Sequence, residues 1–293
     1  MTTVALIGAG RMGSAMARSV ARAGLPLVVH NRTRERAATL AAEVGGRVAE
    51  TPAEAASLAD VSLTMLADDA AVIAVYGGAT GLLAGARSGS VLVDLSTVTP
   101  DTIRGFAAAA AERGVGLLDS PVSGSVTLAE SGGLTLMVGG TAADLEKARP
   151  ALEPLAKSIV HIGPLGTGAA MKLAVNTVIF GLNGALAEGL VLAEAAGIDR
   201  SLAWDVFAAS AIGAPYVGYK RAAFVEPEST PVAFALELAE KDLGLIGTLA
   251  ERLGVPIPQA RVNLDVIRAA EVDFSPGADF AAVAGHLRNR RIS

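Results

Sequence analysis

Short apolar runs alternate with longer alanine-rich segments over the first 162 residues of the chain. The alanine-rich segments carry charged residues at helical spacing, and this alternation is typical of βαβ units on a parallel sheet. Strands are predicted at Val4–Ile7, Leu27–His30, Val61–Met65, Val91–Asp94 and Gly116–Asp119, and Leu134–Val138 and Ile159–Ile162 extend the sheet.

The strand pattern stops after Gly163, and the rest of the chain has a helical pattern. A proline-free segment from Gly168 to Gly197 predicts a helix of roughly 28 residues, or about 40 Å. Breaks follow at 254–258 and 275–277. We therefore predict two domains: a doubly wound, mainly parallel α/β domain at residues 1–162 and an all-helical domain at residues 163–293.

Composition excludes several classes of function. The net charge of -5 and the pI near 5.3 provide no positive surface for nucleic acid or an anionic membrane. The absence of cysteine excludes disulfides, thiolate nucleophiles and cysteine-type zinc sites, and it fits a reducing cytoplasm. His30, His161 and His286 lack the spacing of metal ligands, so we expect no metal.

Neither a secretion signal nor a membrane span is expected. The chain enters the first predicted strand directly, without a basic region followed by a long apolar one. The uncharged stretches near 158–171 and 173–187 are separated by Lys172, and each falls short of the roughly 20 apolar residues of a span. We expect a soluble cytoplasmic protein. The mean hydropathy of +0.48 and the long apolar helix predict a homo-oligomer, a dimer or tetramer built mainly from the second domain.

A glycine-rich turn follows the first predicted strand. Gly8, Gly10 and Gly13 have the spacing G-x-G-x-x-G and open an amphipathic helical pattern. In such a turn the first glycine permits a tight bend, the second lets a pyrophosphate approach the backbone, and the third lets the helix pack on the strand. The position between strand and helix predicts a Rossmann dinucleotide-binding domain, with Arg11 and Met12 also contacting the cofactor. The alternative is a tight turn without a ligand.

The residues after the second predicted strand favour NADP over NAD. An NAD-binding protein usually carries Asp or Glu there to bind the ribose hydroxyls, whereas this chain has Asn31, Arg32, Thr33 and Arg34. Arg32 can pair with a 2′-phosphate or stack on adenine, Asn31 and Thr33 can donate hydrogen bonds to the phosphate, and Arg34 adds positive charge. The alternative is a solvated loop at the start of a helix.

Four segments between residues 119 and 243 combine glycine, serine and lysine in specific motifs. They are Asp119–Ser125 (DSPVSGS), Gly132–Gly140, Gly166–Gly168 followed by Lys172 and Asn176, and Lys241–Leu243. With the glycine-rich turn, they resemble the β-hydroxyacid dehydrogenase family of the 6-phosphogluconate dehydrogenase superfamily over nearly the whole chain. The resemblance implies oxidation of a small hydroxy acid, or reduction of its semialdehyde or keto form; relatives act on 3-hydroxyisobutyrate, tartronate semialdehyde, glyoxylate or succinic semialdehyde.

The resemblance assigns substrate binding to Ser123, Gly124 and Ser125. The first two lie in a loop at the end of a strand, where backbone amides and a hydroxyl can hold a carboxylate. A glycine-rich turn without a substrate is the alternative. Ser125 stands where the family frequently has glycine, and Thr177 where it frequently has a second asparagine, so both departures bear on substrate identity.

Catalysis is assigned to Lys172 and Asn176. They are four residues apart on a predicted helix and share one face. A carbonyl that accepts hydride needs a proton, which an ammonium can donate, and the uncharged neighbourhood of Lys172 favours its neutral amine in the reverse direction. Asn176 would orient Lys172 or the substrate. Lys241 is expected to place positive charge near the substrate carboxylate or cofactor; the alternatives are a lysine extending to the surface for Lys172 and an ordinary surface charge for Lys241.

The resemblance also assigns cofactor contacts to Leu66, Ala67 and Thr97, which follow two predicted strands. Two other functions share this architecture. An imine reductase uses NADPH but usually lacks the catalytic lysine, so Lys172 argues against it. A catalytically inactive NADP-binding scaffold is disfavoured by the acidic charge balance and by the presence of both Lys172 and Asn176.

Overall fold

The computed structural model describes residues 1–290 and divides the chain into two compact units. The first comprises Met1–Lys172, and the second begins at Leu173. We predicted a domain boundary at residue 162, before the turn into the long helix. The division into compact units instead falls within that helix, between Lys172 and Leu173. Each unit is described on its own below.

A nine-stranded sheet forms the centre of the first unit. Its strands are β1 (Val4–Ile7), β2 (Leu27–His30), β3 (Arg47–Val48), β4 (Val61–Thr64), β5 (Val91–Asp94), β6 (Gly116–Asp119), β7 (Val122–Ser123), β8 (Leu134–Gly139) and β9 (Ala156–Gly163). The order is β3-β2-β1-β4-β5-β6-β8-β7, with β9 also paired to β8. The pairs that β8 makes with β6 and β7 are antiparallel and the others are parallel. This confirms the predicted doubly wound, mainly parallel architecture.

Helices cover both faces of this sheet. They are α1 (Arg11–Arg22), α2 (Arg34–Val44), α3 (Pro52–Leu58), α4 (Asp69–Tyr76), α5 (Leu82–Gly85), α6 (Pro100–Arg104), α7 (Ala107–Glu112), α8 (Val126–Glu130) and α9 (Ala142–Leu152). Alternation along β1 sends Val4 and Leu6 into one apolar layer and Ala5 and Ile7 into the other. Strands buried on both faces explain why the predicted strands are continuous apolar runs.

The strand order places one crevice at the carboxyl edge of the sheet. The chain runs outward from β1 through β2 to β3, and then returns to β4 on the opposite side of β1. Such a reversal leaves a crevice beyond the carboxyl ends of the two central strands, where ligands of open α/β sheets bind. The loops after β1, β2, β4, β5 and β6 all begin at this edge.

The described residues of the second unit form helices joined by turns, with one isolated β-bridge between Ala235 and Asp279. Its helices are α10 (Thr167–Ala195), which starts in the first unit, α11 (Arg200–Ala209), α12 (Pro215–Val225), α13 (Leu236–Leu253), α14 (Pro258–Asp273) and α15 (Ala282–Asn289). The predicted breaks at 254–258 and 275–277 match the gaps between α13, α14 and α15, except that Pro258 is the first residue of α14. Trp204 is fully buried and stacks on Phe224 with ring centroids 4.7 Å apart, so it belongs to the core.

Helix α10 matches the predicted long helix in extent. Over residues 1–290 it is the one helix long and apolar enough to cross a membrane, judged by length and composition alone. One such helix is weak evidence for a span, because core helices of soluble proteins share that length and composition.

Candidate active site

The glycine-rich turn after β1 has the geometry of a phosphate cradle. Gly8 has φ +107°, and a Cβ there would overlap the Met65 carbonyl oxygen. A Cβ at Gly13 would overlap the Gly8 carbonyl oxygen, which lets α1 start directly against the turn. Gly10 differs, since no heavy atom lies within 4 Å of where its Cβ would be. The first turn of α1 contains no acidic residue, so its positive end and the open space at Gly10 fit a pyrophosphate.

The residues proposed for the 2′-phosphate lie beside this turn. Oδ1 of Asn31 accepts a 3.0 Å hydrogen bond from the Ala9 amide, and its Nδ2 donates to the Thr33 carbonyl. Asn31 therefore braces the glycine-rich turn, a contact its sequence position did not indicate. Arg34 forms an ion pair with Glu50 at 2.8 Å. The Arg32 side chain is exposed, and within residues 1–290 no hydrogen bond or ion pair engages it.

A buried network lies under the residues that follow β4 and β5. Oδ1 of Asp94 accepts hydrogen bonds from the hydroxyls of Thr64 at 2.7 Å and Ser96 at 2.8 Å. The Ser96 hydroxyl in turn accepts a 2.9 Å bond from the Leu66 amide. Asp94 is 1% exposed, and burial raises its pKa to about 6. The network fixes the backbone next to two predicted cofactor contacts, the exposed Ala67 and the half-buried Thr97.

The predicted substrate loop follows β6 and includes the two-residue strand β7, which ends at Ser123. Ser123 is half-buried, and Gly124 has φ +142°, a conformation that favours glycine. Ser125 is the N-cap of α8, where its hydroxyl accepts a 3.3 Å hydrogen bond from the Leu128 amide. Ser125 therefore stabilises the end of the loop, a role that its predicted substrate contact did not include.

Lys172 is half-buried in the second turn of α10. The amino-terminal end of this helix is held by Asp119, the last residue of β6, which accepts hydrogen bonds from the Gly166 and Ala169 amides. Burial raises the pKa of Asp119, and these amide bonds oppose the rise. The sequence motif contains Asp119, but its pairing with a helix about 50 residues away is a tertiary contact that no local pattern reveals.

Asn176 and Lys241 share a partner in the second unit. Nδ2 of Asn176 donates a 2.8 Å hydrogen bond to Oδ2 of Asp242, and Nζ of Lys241 lies 3.0 Å from Oδ1 of the same carboxylate. Thr177, one of the two departures from the family pattern, donates its hydroxyl to the Leu173 carbonyl within α10. Asp242 was not among the predicted site residues, although it follows Lys241 directly in the motif.

The histidines lie apart and contact other groups. His30 contacts the Ala49 carbonyl, His161 the Gly140 carbonyl, and His286 the Asp273 carboxylate at 2.6 Å. Over the described residues, no group of three or more His, Cys, Asp or Glu side chains has an arrangement that could hold a metal ion.

Both parts of the chain match known protein families. A family model of the NAD binding domain of 6-phosphogluconate dehydrogenase matches residues 3–163. A second, described as NAD-binding of NADP-dependent 3-hydroxyisobutyrate dehydrogenase, matches residues 166–287. The two matches cover both units and agree with the glycine-rich turn and the motifs around Lys172 and Lys241.

Individual relatives align over almost the whole chain. A probable 3-hydroxyisobutyrate dehydrogenase of Mycobacterium bovis is 35% identical, with 99% of each chain covered. Glyoxylate/succinic semialdehyde reductase 2 of Arabidopsis thaliana is 32% identical, covering 98% of this chain and 79% of that protein. The solved structure of Mycobacterium tuberculosis 3-hydroxyisobutyrate dehydrogenase with L-serine has a TM-score of 0.86 at 33% identity, covering 98% and 99% of the two chains. The chain therefore belongs to the β-hydroxyacid dehydrogenase family and is an NAD(P)-dependent oxidoreductase that acts on a hydroxyl group.

Proposed function

We propose that this enzyme is an NADP-dependent dehydrogenase that interconverts a small β-hydroxy acid and its semialdehyde or keto form. One observation carries the proposal: a single residue, Asp119, ends the strand that leads into the Ser123 loop and also binds the start of the helix that bears Lys172. This arrangement supports the proposal, because the loop that follows Asp119 and the helix that bears Lys172 both start at the edge of the sheet where the glycine-rich turn lies.

The residues at this edge fit a dinucleotide. Gly8, Gly10 and Gly13 would hold the pyrophosphate with Arg11 and Met12 beside them, and Leu66, Ala67 and Thr97 would contact the nicotinamide end. The bound nicotinamide supplies or accepts the hydride at the reacting carbon. The backbone of Leu66 and the loop around Thr97 are held in place by Ser96 and Asp94.

Lys172 is proposed to move the proton. During reduction its ammonium donates a proton to the substrate oxygen as negative charge develops there, and during oxidation its neutral amine takes that proton back. Lys172 is half-buried, so its side chain is neither sealed in the core nor fully surrounded by water.

The substrate carboxylate is proposed to bind at Ser123 and Gly124. A hydroxyl and the backbone amides of a glycine loop can hold this group through hydrogen bonds without a full counter-charge. Asn176 and Lys241 are proposed to orient the reacting groups and to add positive charge. The Asp242 carboxylate, which contacts both side chains, would fix their positions.

NADP is proposed over NAD because positive charge lies where an acidic residue would bind the ribose of NAD. Arg32 is an exposed cation next to Asn31, and Arg34 is paired with Glu50. A solved relative, Psf3 in complex with NADP+ and 2-OPP, is 26% identical with a TM-score of 0.88. A kcat/KM for NADPH at least about tenfold that for NADH, or about 1.4 kcal/mol, is expected; comparable values would contradict the preference.

A substrate panel tests the reaction class. Oxidation of NADPH is followed by absorbance with glyoxylate, succinic semialdehyde, methylmalonate semialdehyde and a cyclic imine, and reduction of NADP+ with 3-hydroxyisobutyrate and L-serine. Turnover of the carbonyl compounds, lowered about 100- to 10,000-fold by Lys172→Met, supports the proposal. Turnover of the imine alone would identify an imine reductase, and no turnover with tight NADPH binding would identify a scaffold.

A homo-oligomer in the cytoplasm is also proposed. Along α10, Val178 is 70% exposed and Leu192 73% exposed, and apolar surface of this kind favours contact with a second copy. Light scattering at micromolar concentration is expected to show a dimer or tetramer, and a monomer would contradict this.

A further inference from the structure

The carboxylate of Asp119 lies at the amino-terminal end of α10. Its Oδ1 accepts a 2.6 Å hydrogen bond from the Gly166 amide, and its Oδ2 accepts one of 2.6 Å from the Ala169 amide. The first turn of a helix leaves its N–H groups without intrahelical partners, and the helix dipole favours a negative charge there. A buried carboxylate with one amide on each oxygen therefore fixes both the position and the direction of the first turn.

A second side chain holds the same turn from outside. Nε of Arg104, the last residue of α6, donates a 2.9 Å hydrogen bond to the Leu165 carbonyl. The neighbouring residue, Gly166, has φ +88°, and a Cβ there would lie 2.7 Å from Cζ of Arg104. The segment leading into α10 therefore contacts both the Asp119 carboxylate and the Arg104 guanidinium.

The backbone packs so closely at two glycines that the first turn of α10 has no room to shift toward the sheet. A Cβ at Gly168 would overlap the Met137 carbonyl oxygen and lie 2.7 Å from the Asp119 carbonyl oxygen. A Cβ at Gly139 would lie 2.9 Å from the Gly168 amide nitrogen. The first turn of α10 therefore rests directly on the ends of β6 and β8, and any movement of this turn would break a hydrogen bond or create a clash.

Asp119 connects the two parts of the proposed site. Its backbone leads into the Ser123 loop, and its side chain binds the Ala169 amide, three residues before Lys172. We propose that Asp119 is a positioning residue that keeps the Lys172 amine in register with the carboxylate-binding loop. The inference rests on the proposed role of Lys172 in proton transfer. Asparagine cannot replace Asp119 fully, because it offers one acceptor oxygen for two amides.

The test is a double-mutant cycle with the carbonyl compound that is turned over fastest. Asp119→Asn is expected to lower kcat by about 10- to 100-fold, because catalytic groups tolerate little displacement. The Kd for NADPH, measured by fluorescence, is expected to change by less than about twofold relative to the wild type, or about 0.4 kcal/mol in binding free energy. In the Lys172→Met background, Asp119→Asn should lower kcat no further. Asp199→Asn, the same change at the exposed N-cap of α11, is the control and should leave kcat unchanged.

Two structural readouts separate the inference from the proposed function. Asp119→Asn is expected to speed amide hydrogen exchange in residues 166–170. It is also expected to change the rate at which an amine-reactive reagent labels the side chain of Lys172. Arg104→Gln, a milder change at an exposed residue, should show both effects to a smaller degree.

Three outcomes would overturn the inference: unchanged kcat in Asp119→Asn, an equal loss of kcat in the Lys172→Met background, or unchanged exchange and labelling in both Asp119→Asn and Arg104→Gln. Full activity of Lys172→Met would instead contradict the proposed proton transfer, while the exchange data would still report whether Asp119 holds the helix.

Discussion

The Nδ2 amide of Asn176 donates a 2.8 Å hydrogen bond to Oδ2 of Asp242, and both side chains are buried. Two residues that the sequence pattern places in separate motifs are thus one polar pair in the core of the second unit. Lys241 shares the Asp242 carboxylate at 3.0 Å, so this single acidic group organises two residues of the proposed chemistry.

Asn176→Asp is expected to destabilise the protein by about 1.5–3 kcal/mol at pH 8, because it replaces a hydrogen bond to a charged group with two facing carboxylates. At pH 5 the loss should be smaller, since one carboxyl can bind a proton and donate it to the other. The swap Asn176→Asp/Asp242→Asn restores an amide-to-carboxylate pair and should recover more than half of the loss. Urea unfolding measures these differences, and a swap no better than the single variant would contradict the pair's importance.

Gly10→Ala is expected to impair cofactor binding without loss of stability. The backbone of Gly10, with φ -78°, suits any residue, and the space at its Cβ is open, so alanine gains about 0.4–1 kcal/mol by restricting the unfolded chain. Gly10 is also the N-cap of α1, where alanine is less favourable than glycine, so the unfolding free energy should stay nearly unchanged. A methyl group in the cradle would exclude the pyrophosphate, so we expect the Kd for NADPH to rise at least about tenfold, a loss of 1.4 kcal/mol.

Gly13→Ala provides the contrast, because its Cβ would overlap the Gly8 carbonyl oxygen and must disturb the fold itself. Thermal unfolding and fluorescence titration distinguish the two variants. Tight NADPH binding by Gly10→Ala would show that the open space at Gly10 does not hold the pyrophosphate.

Arg32→Ala is expected to remove most of the preference for NADP. A charge-assisted hydrogen bond to a phosphate is worth about 1.5–3 kcal/mol, so the KM for NADPH should rise about 10- to 100-fold while the KM for NADH stays within about twofold. Arg113→Ala, at an exposed arginine after α7, controls for the loss of one positive charge. Equal changes in the KM values for NADPH and NADH would show that Arg32 does not bind the 2′-phosphate.

The predicted strands agree with the structure to within a few residues at each end, because strands buried on both faces appear as continuous apolar runs. The two-residue strands β3 and β7 were missed, since a short strand such as Arg47–Val48 has no apolar run. The glycine-rich turn was correctly placed for the same local reason: its spacing is itself the signal.

The partners of the site residues could not be predicted in the same way. Asn31 binds the Ala9 amide 22 residues away, and Asp119 binds the Ala169 amide 50 residues away. These bonds depend on which strands become neighbours and where each loop leaves the sheet, and neither periodicity nor composition encodes such pairings. The sequence therefore predicts which residues could contact ligands, but not the tertiary contacts that hold those residues in place.

Asp94→Asn is expected to change how stability depends on pH. Burial raises the pKa of Asp94 to about 6, above its ordinary value of 3.8, so the folded state binds this proton more tightly than the unfolded state. The resulting stabilisation is present at low pH and is lost as pH rises from about 4 through about 6. The shift corresponds to about 3 kcal/mol.

The unfolding free energy of the wild type minus that of Asp94→Asn should therefore fall by up to about 3 kcal/mol between pH 4 and pH 7. The asparagine oxygen can still accept the hydroxyls of Thr64 and Ser96, so the local geometry should survive the change. Denaturant unfolding at several pH values measures the difference, and Asp205→Asn, at an exposed carboxylate, controls for the loss of one negative charge. If the two curves run parallel from pH 4 to pH 7, the buried Asp94 carboxyl does not take up its proton in this range.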